Sequence, residues 1–197
     1  MANAVENKTL YVPPAKLNDV NDPNAGGIAN IAGVSRAPGQ IGAIVYLNPI
    51  SDTTVGTLYP GAYQYVHLVS TSTAAAAVGG IAYWVDPTST TKPYDVTADA
   101  TDGNQAGIFL NVITKGNYGF IQVKGLANVL YAASITKATP AKKDLVVCST
   151  GAGTADVLAD ATSLTSPLLK RVLGVAEQTP VAGSARLVLL SLSDRNQ

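Results

Sequence analysis

Two pairs of aspartates come closest to a catalytic or metal-binding pattern in this sequence. Asp95 and Asp99 lie four positions apart, and Asp156 and Asp160 repeat that spacing further along the chain. Paired carboxylates perform acid/base or metal chemistry when burial and mutual repulsion separate their pKa values. Neither pair is accompanied by a histidine, a lysine or a third acid. Short polar side chains also hydrogen-bond the backbone in turns, and we expect that structural role for both pairs.

The other residue types that support catalysis are scarce. The chain has one histidine, His67, and one cysteine, Cys148, so the common nucleophile and metal constellations can hardly be assembled. We expect His67 to be a structural histidine on a strand, and Cys148, which ends an apolar run, to be an inert buried thiol. Residues 151–153 (GAG) are not followed by the helix that a dinucleotide loop requires. The sequence therefore predicts a non-enzymatic protein with no metal and no cofactor.

The aspartates lie within two similar strings of seven residues. Residues 95–101 read DVTADAT and residues 156–162 read DVLADAT, so six of seven positions match at a spacing of 61. Flanking segments repeat at a spacing of 64, for example Ile81 with Leu145. Spacings of this size are typical of small supersecondary units repeated in tandem. We therefore predict two copies of one β-rich unit of about 60 residues.

Short strands between Gly/Pro turns are the elements that must position these residues. Residues 63–69 alternate with a period of two, which is typical of a strand, and residues 115–117 predict a hairpin turn. Many short strands of this kind predict an all-β sandwich or barrel. The predicted domains are an extended N-terminal arm at 1–40, a first β unit with its leading strands at 41–133 and a second β unit at 134–197.

The first 40 residues allow two interpretations. They lack a sustained period and are interrupted by glycine and proline, which suits a disordered terminus. Their scattered apolar residues instead favour an arm that orders on a neighbouring subunit. Tyrosine supplies a large contact area for few rotatable bonds, so tyrosines of the first long strand join the predicted partner contacts. These candidates are Leu10, Tyr11, Val12, Ile28, Ile31, Tyr63 and Tyr65.

The composition indicates a protein that associates with other subunits. Thirteen acidic side chains balance thirteen basic ones, and 13% of the residues are charged, against about a quarter in ordinary soluble domains. Little self-repulsion therefore keeps copies apart, and a nucleic-acid partner is not expected because a basic face is missing. No apolar run reaches the length of a membrane span, and the N-terminus does not resemble a signal peptide. We expect synthesis in a reducing cytoplasm.

Residues 59–192 resemble the small all-β decoration, or cement, proteins of tailed-phage heads. The resemblance begins with the opening strand GAYQYV at 61–66, and alanine-rich links then lead to short apolar strands at 74–85 and 138–148. It continues with KDLVV at 143–147 and RVLGVAE at 171–177. It covers about two-thirds of the chain and leaves residues 1–58 unmatched.

The resemblance implies a virion structural protein, made in the host cytoplasm, that binds the outer surface of the capsid. Its partner would be the major capsid protein of the same virion, whose lattice it stabilises, and it would form a homo-oligomer, a trimer in preference to a dimer. Two other interpretations stay open. A receptor- or carbohydrate-binding module of a phage tail or fibre would show an exposed aromatic platform. A small hydrolase would need a pocket that unites an aspartate pair with His67.

Overall fold

The computed structural model of the chain describes residues 42, 44–47, 50–52, 56–86, 88–99, 105–110, 112–151, 153–159 and 172–192. The described part consists of strands, turns and bends without a helix, which confirms the predicted all-β fold. The arm predicted at 1–40 lies outside the described residues. So do five of the predicted partner contacts, which are Leu10, Tyr11, Val12, Ile28 and Ile31.

Twelve strands follow one another in the described part of the chain. They are β1 (Ile44–Leu47), β2 (Ile50–Asp52), β3 (Gly56–Leu58), β4 (Gly61–Leu68), β5 (Ile81–Trp84), β6 (Asp95–Thr97), β7 (Gln105–Phe109), β8 (Tyr118–Leu130), β9 (Leu145–Cys148), β10 (Ala155–Val157), β11 (Val172–Ala176) and β12 (Ala185–Ser191). The strand β1 adds to the edge of β4, while β2 and β3 form a separate hairpin.

Strands β4 to β8 close into a five-stranded barrel, which we call the first barrel. Strand β4 pairs in parallel with β6, and the antiparallel pairs β6–β5, β5–β7 and β7–β8 follow around the barrel. The first half of β8 then returns antiparallel to β4 and completes the circle. Closure of a sheet into a barrel removes the exposed edge strands that an open sheet would have.

The second half of β8 begins another circle of five strands, which we call the second ring. It pairs with β12, and the antiparallel pairs β12–β11, β11–β9 and β9–β10 follow. A single parallel bridge between Tyr131 and Ala155 links the last strand to the first. The strand order around the second ring is therefore the order found around the first barrel.

The register of pairing is also the same in the two circles. Ile81 pairs with Ile108 in the first barrel, one pair before a β-bulge. Leu145 pairs with Val175 in the second ring, again one pair before a bulge. A bulge is a specific local feature of a strand pair, so its recurrence fixes equivalent positions in both circles. The two circles share β8, whose first half pairs with β4 and whose second half pairs with β12. The predicted origin from two copies of one sequence unit and the predicted boundary at 133 therefore stay predictions.

The two similar strings do not follow the register of pairing. Thr97 pairs with Tyr83, and Asp156 pairs with the equivalent Val147. Asp156 therefore occupies the position of Thr97, whereas the string match sets it against Asp95, two residues away. The strings mark the same strand in each circle but not the same positions along it.

Two buried clusters meet at β5, all four residues of which are buried. Ala82 and Trp84 belong to the interior of the first barrel. Ile81 and Tyr83 point the other way, since side chains alternate along a strand, and they join the cluster formed by the interior of the second ring. The amide of Ile81 also donates to the carbonyl of Gly153 in the second ring at 2.9 Å. The second ring is thus packed on the outer face of the first barrel.

Gly125 is the residue at which β8 passes from one circle to the other. It pairs with Gly61 in the first barrel and with Leu190 in the second ring, and its φ is +93°. A Cβ atom at this position would lie 2.1 Å from the carbonyl oxygen of Pro60. Only glycine combines this backbone conformation with so close an approach.

The shared strand predicts a large cost for substitution at Gly125. Gly125→Ala adds the penalty of a left-handed backbone to a clash with the Pro60 carbonyl, and we expect it to lower the free energy of unfolding by at least about 2 kcal/mol. Gly183→Ala is the matched control, since φ is +67° there but nothing lies within 4 Å of the added Cβ; we expect a loss of about 1 kcal/mol. Urea unfolding measures both, and equal losses would contradict the assignment.

Candidate functional site

The structure brings His67 into contact with one of the candidate aspartates. Parallel pairing sets His67 of β4 opposite Asp95 of β6, and the Nδ1 atom lies 2.8 Å from the Asp95 Oδ1. The ring also lies against Tyr118, with centroids 4.8 Å apart. A histidine–carboxylate pair is one part of a hydrolytic triad. Within the described residues, however, no serine, threonine or cysteine is hydrogen-bonded to the other ring nitrogen of His67.

Asp99 does not join Asp95 and His67 but holds the loop that follows β4. Its carboxylate accepts hydrogen bonds from the amides of Thr73 and Ala74, each at 2.8 Å, and from the hydroxyls of Thr73 at 2.5 Å and Thr97 at 3.0 Å. Partial burial raises the pKa of Asp99, but these hydrogen bonds outweigh it and lower the pKa to about 2. The first aspartate pair is thus divided between two separate structural contacts.

Asp156 makes the corresponding contact in the second ring. It accepts hydrogen bonds from the amide of Thr136 at 2.8 Å, from the Thr136 hydroxyl and from the amide of Val157 at 2.7 Å. Thr136 follows β8 just as Thr73 follows β4, so each circle uses one carboxylate to hold the same loop. Asp160 lies outside the described residues. Cys148 is buried, as expected, with 6% of its surface exposed.

The two predicted contact residues that the structure describes are fully buried. Tyr63 and Tyr65 are both 0% exposed. The Tyr63 hydroxyl donates to the carbonyl of Tyr59 at 2.6 Å, and burial raises the pKa of Tyr63. Tyr65 stacks on Tyr118 and meets Phe120 edge-on. Neither tyrosine offers surface to a partner in the single chain, and their role in partner contacts stays a prediction.

The second ring instead presents apolar side chains in a line across its outer face. Leu126, Leu189, Val175 and Leu145 come from four adjacent strands and pair directly with one another in that order. Leu189 is 45% exposed, and the other three are half-buried. None of the four belongs to the buried clusters. We call these four residues the outer row.

The sequence shows apolar residues on both faces of β12, but it does not show whether the outer face is covered or exposed. In β12, Val188 and Leu190 are buried while Leu187 and Leu189 face outward, so apolar residues occupy both faces of the strand. A strand with one solvated face normally alternates apolar and polar residues. Continuous apolar character therefore indicates either a covered strand or an exposed apolar surface, and only the pairing distinguishes the two.

The described residues contain no group of three or more His, Cys, Asp or Glu side chains that could hold a metal ion. They also include no helix with the length and hydropathy needed to cross a membrane.

The comparisons with known proteins give a remote similarity in structure and none in sequence. No family model matches the sequence, and no match is found among curated proteins. Among solved structures, the chain is similar to the N base of the head fibre protein gp8.5 of bacteriophage phi29. The match covers 66% of this chain and 92% of that chain, at 11% identity and a TM-score of 0.44. Similarity at this level leaves the function open.

The contacts of Asp99 predict a measurable effect on stability. Asp99→Asn removes a charged acceptor from four hydrogen bonds, and we expect it to lower the free energy of unfolding at pH 7 by about 1 kcal/mol, a value reduced for partial exposure. Asp86→Asn is the control, because Asp86 is exposed and accepts within its own turn from Thr88; we expect a smaller loss. Urea unfolding of both variants provides the measurement.

The same carboxylate predicts a dependence on pH. The folded-state pKa of Asp99 lies below the value of about 3.9 for an unfolded aspartate. Its stabilisation is therefore present above about pH 4 and is lost as the pH falls toward 2. We expect the difference in unfolding free energy between the wild type and Asp99→Asn to shrink over this interval. A difference that stays constant down to pH 2 would contradict the role of the charge.

Proposed function

We propose that this chain is a non-enzymatic structural protein of a phage virion that binds the outer surface of the capsid and stabilises the lattice of the major capsid protein. One observation carries this proposal: polar side chains that could do chemistry make contacts within the chain, whereas apolar side chains are left on the surface. Asp99 and Asp156 are bound to loops of the chain itself and Asp95 to His67, while an apolar row on a sparsely charged body faces outward.

The sequence resemblance to capsid decoration proteins supports the same proposal. Its segments coincide with strands of the structure: residues 61–66 lie in β4, 145–147 in β9 and 172–176 in β11. These strands form the walls of the two circles and bury much of the core. The resemblance therefore rests on the segments that define the fold.

The alternative of a receptor- or carbohydrate-binding module of a phage tail or fibre is less well supported. Such a module would stack sugars on an exposed aromatic platform. Of the aromatic side chains whose exposure the structure describes, most are buried, and Tyr59, Tyr94 and Tyr118 are half-buried. The hydrolase alternative needs an aspartate pair beside His67, but Asp99 turns away from Asp95 to bind Thr73.

Binding that is selective for the assembled lattice would stabilise it by mass action. A ligand that binds one state of a protein and not the other shifts the equilibrium toward the bound state. A homo-oligomer, with a trimer favoured, would strengthen this effect because several contacts act together. The low charge of the chain is compatible with both kinds of contact, since it brings little electrostatic repulsion.

The test of this proposal is binding to shells. Purified full-length protein is mixed with expanded shells and with unassembled subunits of the major capsid protein of the same virion, and sedimented. We expect saturable binding to shells, little binding to subunits and a higher melting temperature for the decorated shells. Absence of binding to shells, or a measured turnover on any substrate, would contradict the proposal.

The predicted arm is tested in the full-length chain. We expect replacement of the five apolar candidates of the arm by serine to abolish binding to shells while the circular dichroism spectrum keeps its β form, because the apolar contact area is lost. These candidates are Leu10, Tyr11, Val12, Ile28 and Ile31. Serine at Asn18, Asn21 and Asn24 of the same segment is the control. Full binding by the apolar-to-serine variant would exclude the arm as a contact.

A further inference from the structure

We propose that the outer row of the second ring is the docking surface for the first barrel of a second copy of this chain. The contact would join two different surfaces, head to tail. This inference deepens the proposed homo-oligomer by naming its contact. Its test needs no capsid, so its failure would leave the proposed binding to capsids standing.

The first barrel has a row of residues equivalent to the outer row, and that row is buried within the chain. Ile81, Ile108, Gln122 and Tyr63 pair with one another in the register that joins Leu145, Val175, Leu189 and Leu126 in the second ring. In the first barrel all four are buried, with at most 3% of any side chain exposed. Ile81 and Ile108 lie in the same buried cluster as the interior of the second ring. The second ring therefore covers the Ile81 and Ile108 end of this row in the first barrel.

In the second ring the same position is occupied by apolar side chains and left open. Leu189 has 45% of its surface exposed. Gln122, at the equivalent position in the first barrel, has only 3% of its surface exposed. Exposed apolar rows on a sheet are typical of interaction sites. Because a ring of the same topology covers one end of the equivalent row within the chain, the first barrel of another copy is the occupant that the structure favours.

The pairing also indicates which part of that barrel would make the contact. The second ring meets the first barrel through its interior cluster and through the turn between β9 and β10, where the Gly153 carbonyl accepts a hydrogen bond from the Ile81 amide. The equivalent turn of the first barrel lies between β5 and β6. It begins with Val85, which is 47% exposed. Val85 of one copy would thus lie against the outer row of the next.

A contact between two different surfaces has a consequence for assembly. Each chain would offer one outer row and one β5–β6 turn, so that every copy can bind two others. Such heterologous contacts close into a ring when the rotation between copies permits and otherwise extend into a filament. A closed trimer is one of the assemblies that this contact allows.

The experiment measures the size of the full-length chain by sedimentation velocity at micromolar concentrations. We expect an oligomer for the wild type and weakening of self-association by at least about tenfold for Leu189→Glu and for Val85→Glu, because each variant buries an unpaired charge at the contact. Val112→Glu is the control, since Val112 is 55% exposed outside both surfaces, and we expect it to assemble as the wild type. A monomeric wild type would overturn the proposal.

Mixing the two variants tests the head-to-tail geometry. Leu189→Glu keeps the β5–β6 turn and Val85→Glu keeps the outer row, so an equimolar mixture should form a one-to-one dimer that grows no further. Failure to form this dimer, or full assembly of either variant alone, would overturn the proposal. Thermal unfolding checks that each variant is folded. If Leu189→Glu does not fold, Leu189→Thr keeps a strand-forming residue and is expected to weaken assembly through lost apolar area.

Discussion

The hydrogen bonds of β8 are the constraint on which the rest of the structure depends. One strand of thirteen residues completes the first barrel with its first half and begins the second ring with its second half. Its register must satisfy two circles at once, since a shift by one residue would turn every buried side chain outward in both. Gly125 permits this by allowing a backbone conformation and an approach to Pro60 that other residues exclude. The packing of the second ring against β5 follows from this single crossing.

The sequence predicts the positions of several strands correctly, but it does not predict which residues pack against them. The apolar run 145–148 and the alternation after Gly61 correspond to β9 and β4, because period-two patterns report which residues leave the solvent. The pattern does not report what covers the outer face of a barrel. Tyr63 and Tyr65 therefore resemble interface residues in the sequence but are fully buried in the chain. Similarly, the aspartate strings predict turns, although Asp95 and Asp156 lie within β6 and β10.

The candidate site was less predictable for a physical reason. The contact between His67 and Asp95 depends on parallel pairing of strands 28 residues apart, and such pairing leaves no local mark in the sequence. The similar roles of Asp99 and Asp156 were not predictable either, because the strings match Asp156 with Asp95 and the strand pairing places it at the position of Thr97. Local identity and spatial equivalence are separate properties. Here the bulges and the pairing partners, rather than the identical residues of the two strings, identify equivalent positions in the first barrel and the second ring.

The continuous β8 also determines how the molecule carries mechanical load. A pull along β8 loads the hydrogen bonds on both of its sides, in addition to the packing of the second ring on β5. These bonds are loaded in shear and must break together, so the resistance is set by the rate of forced unfolding rather than by the equilibrium stability of either half. Within the described residues the two circles are thus joined by a continuous strand rather than by a linker.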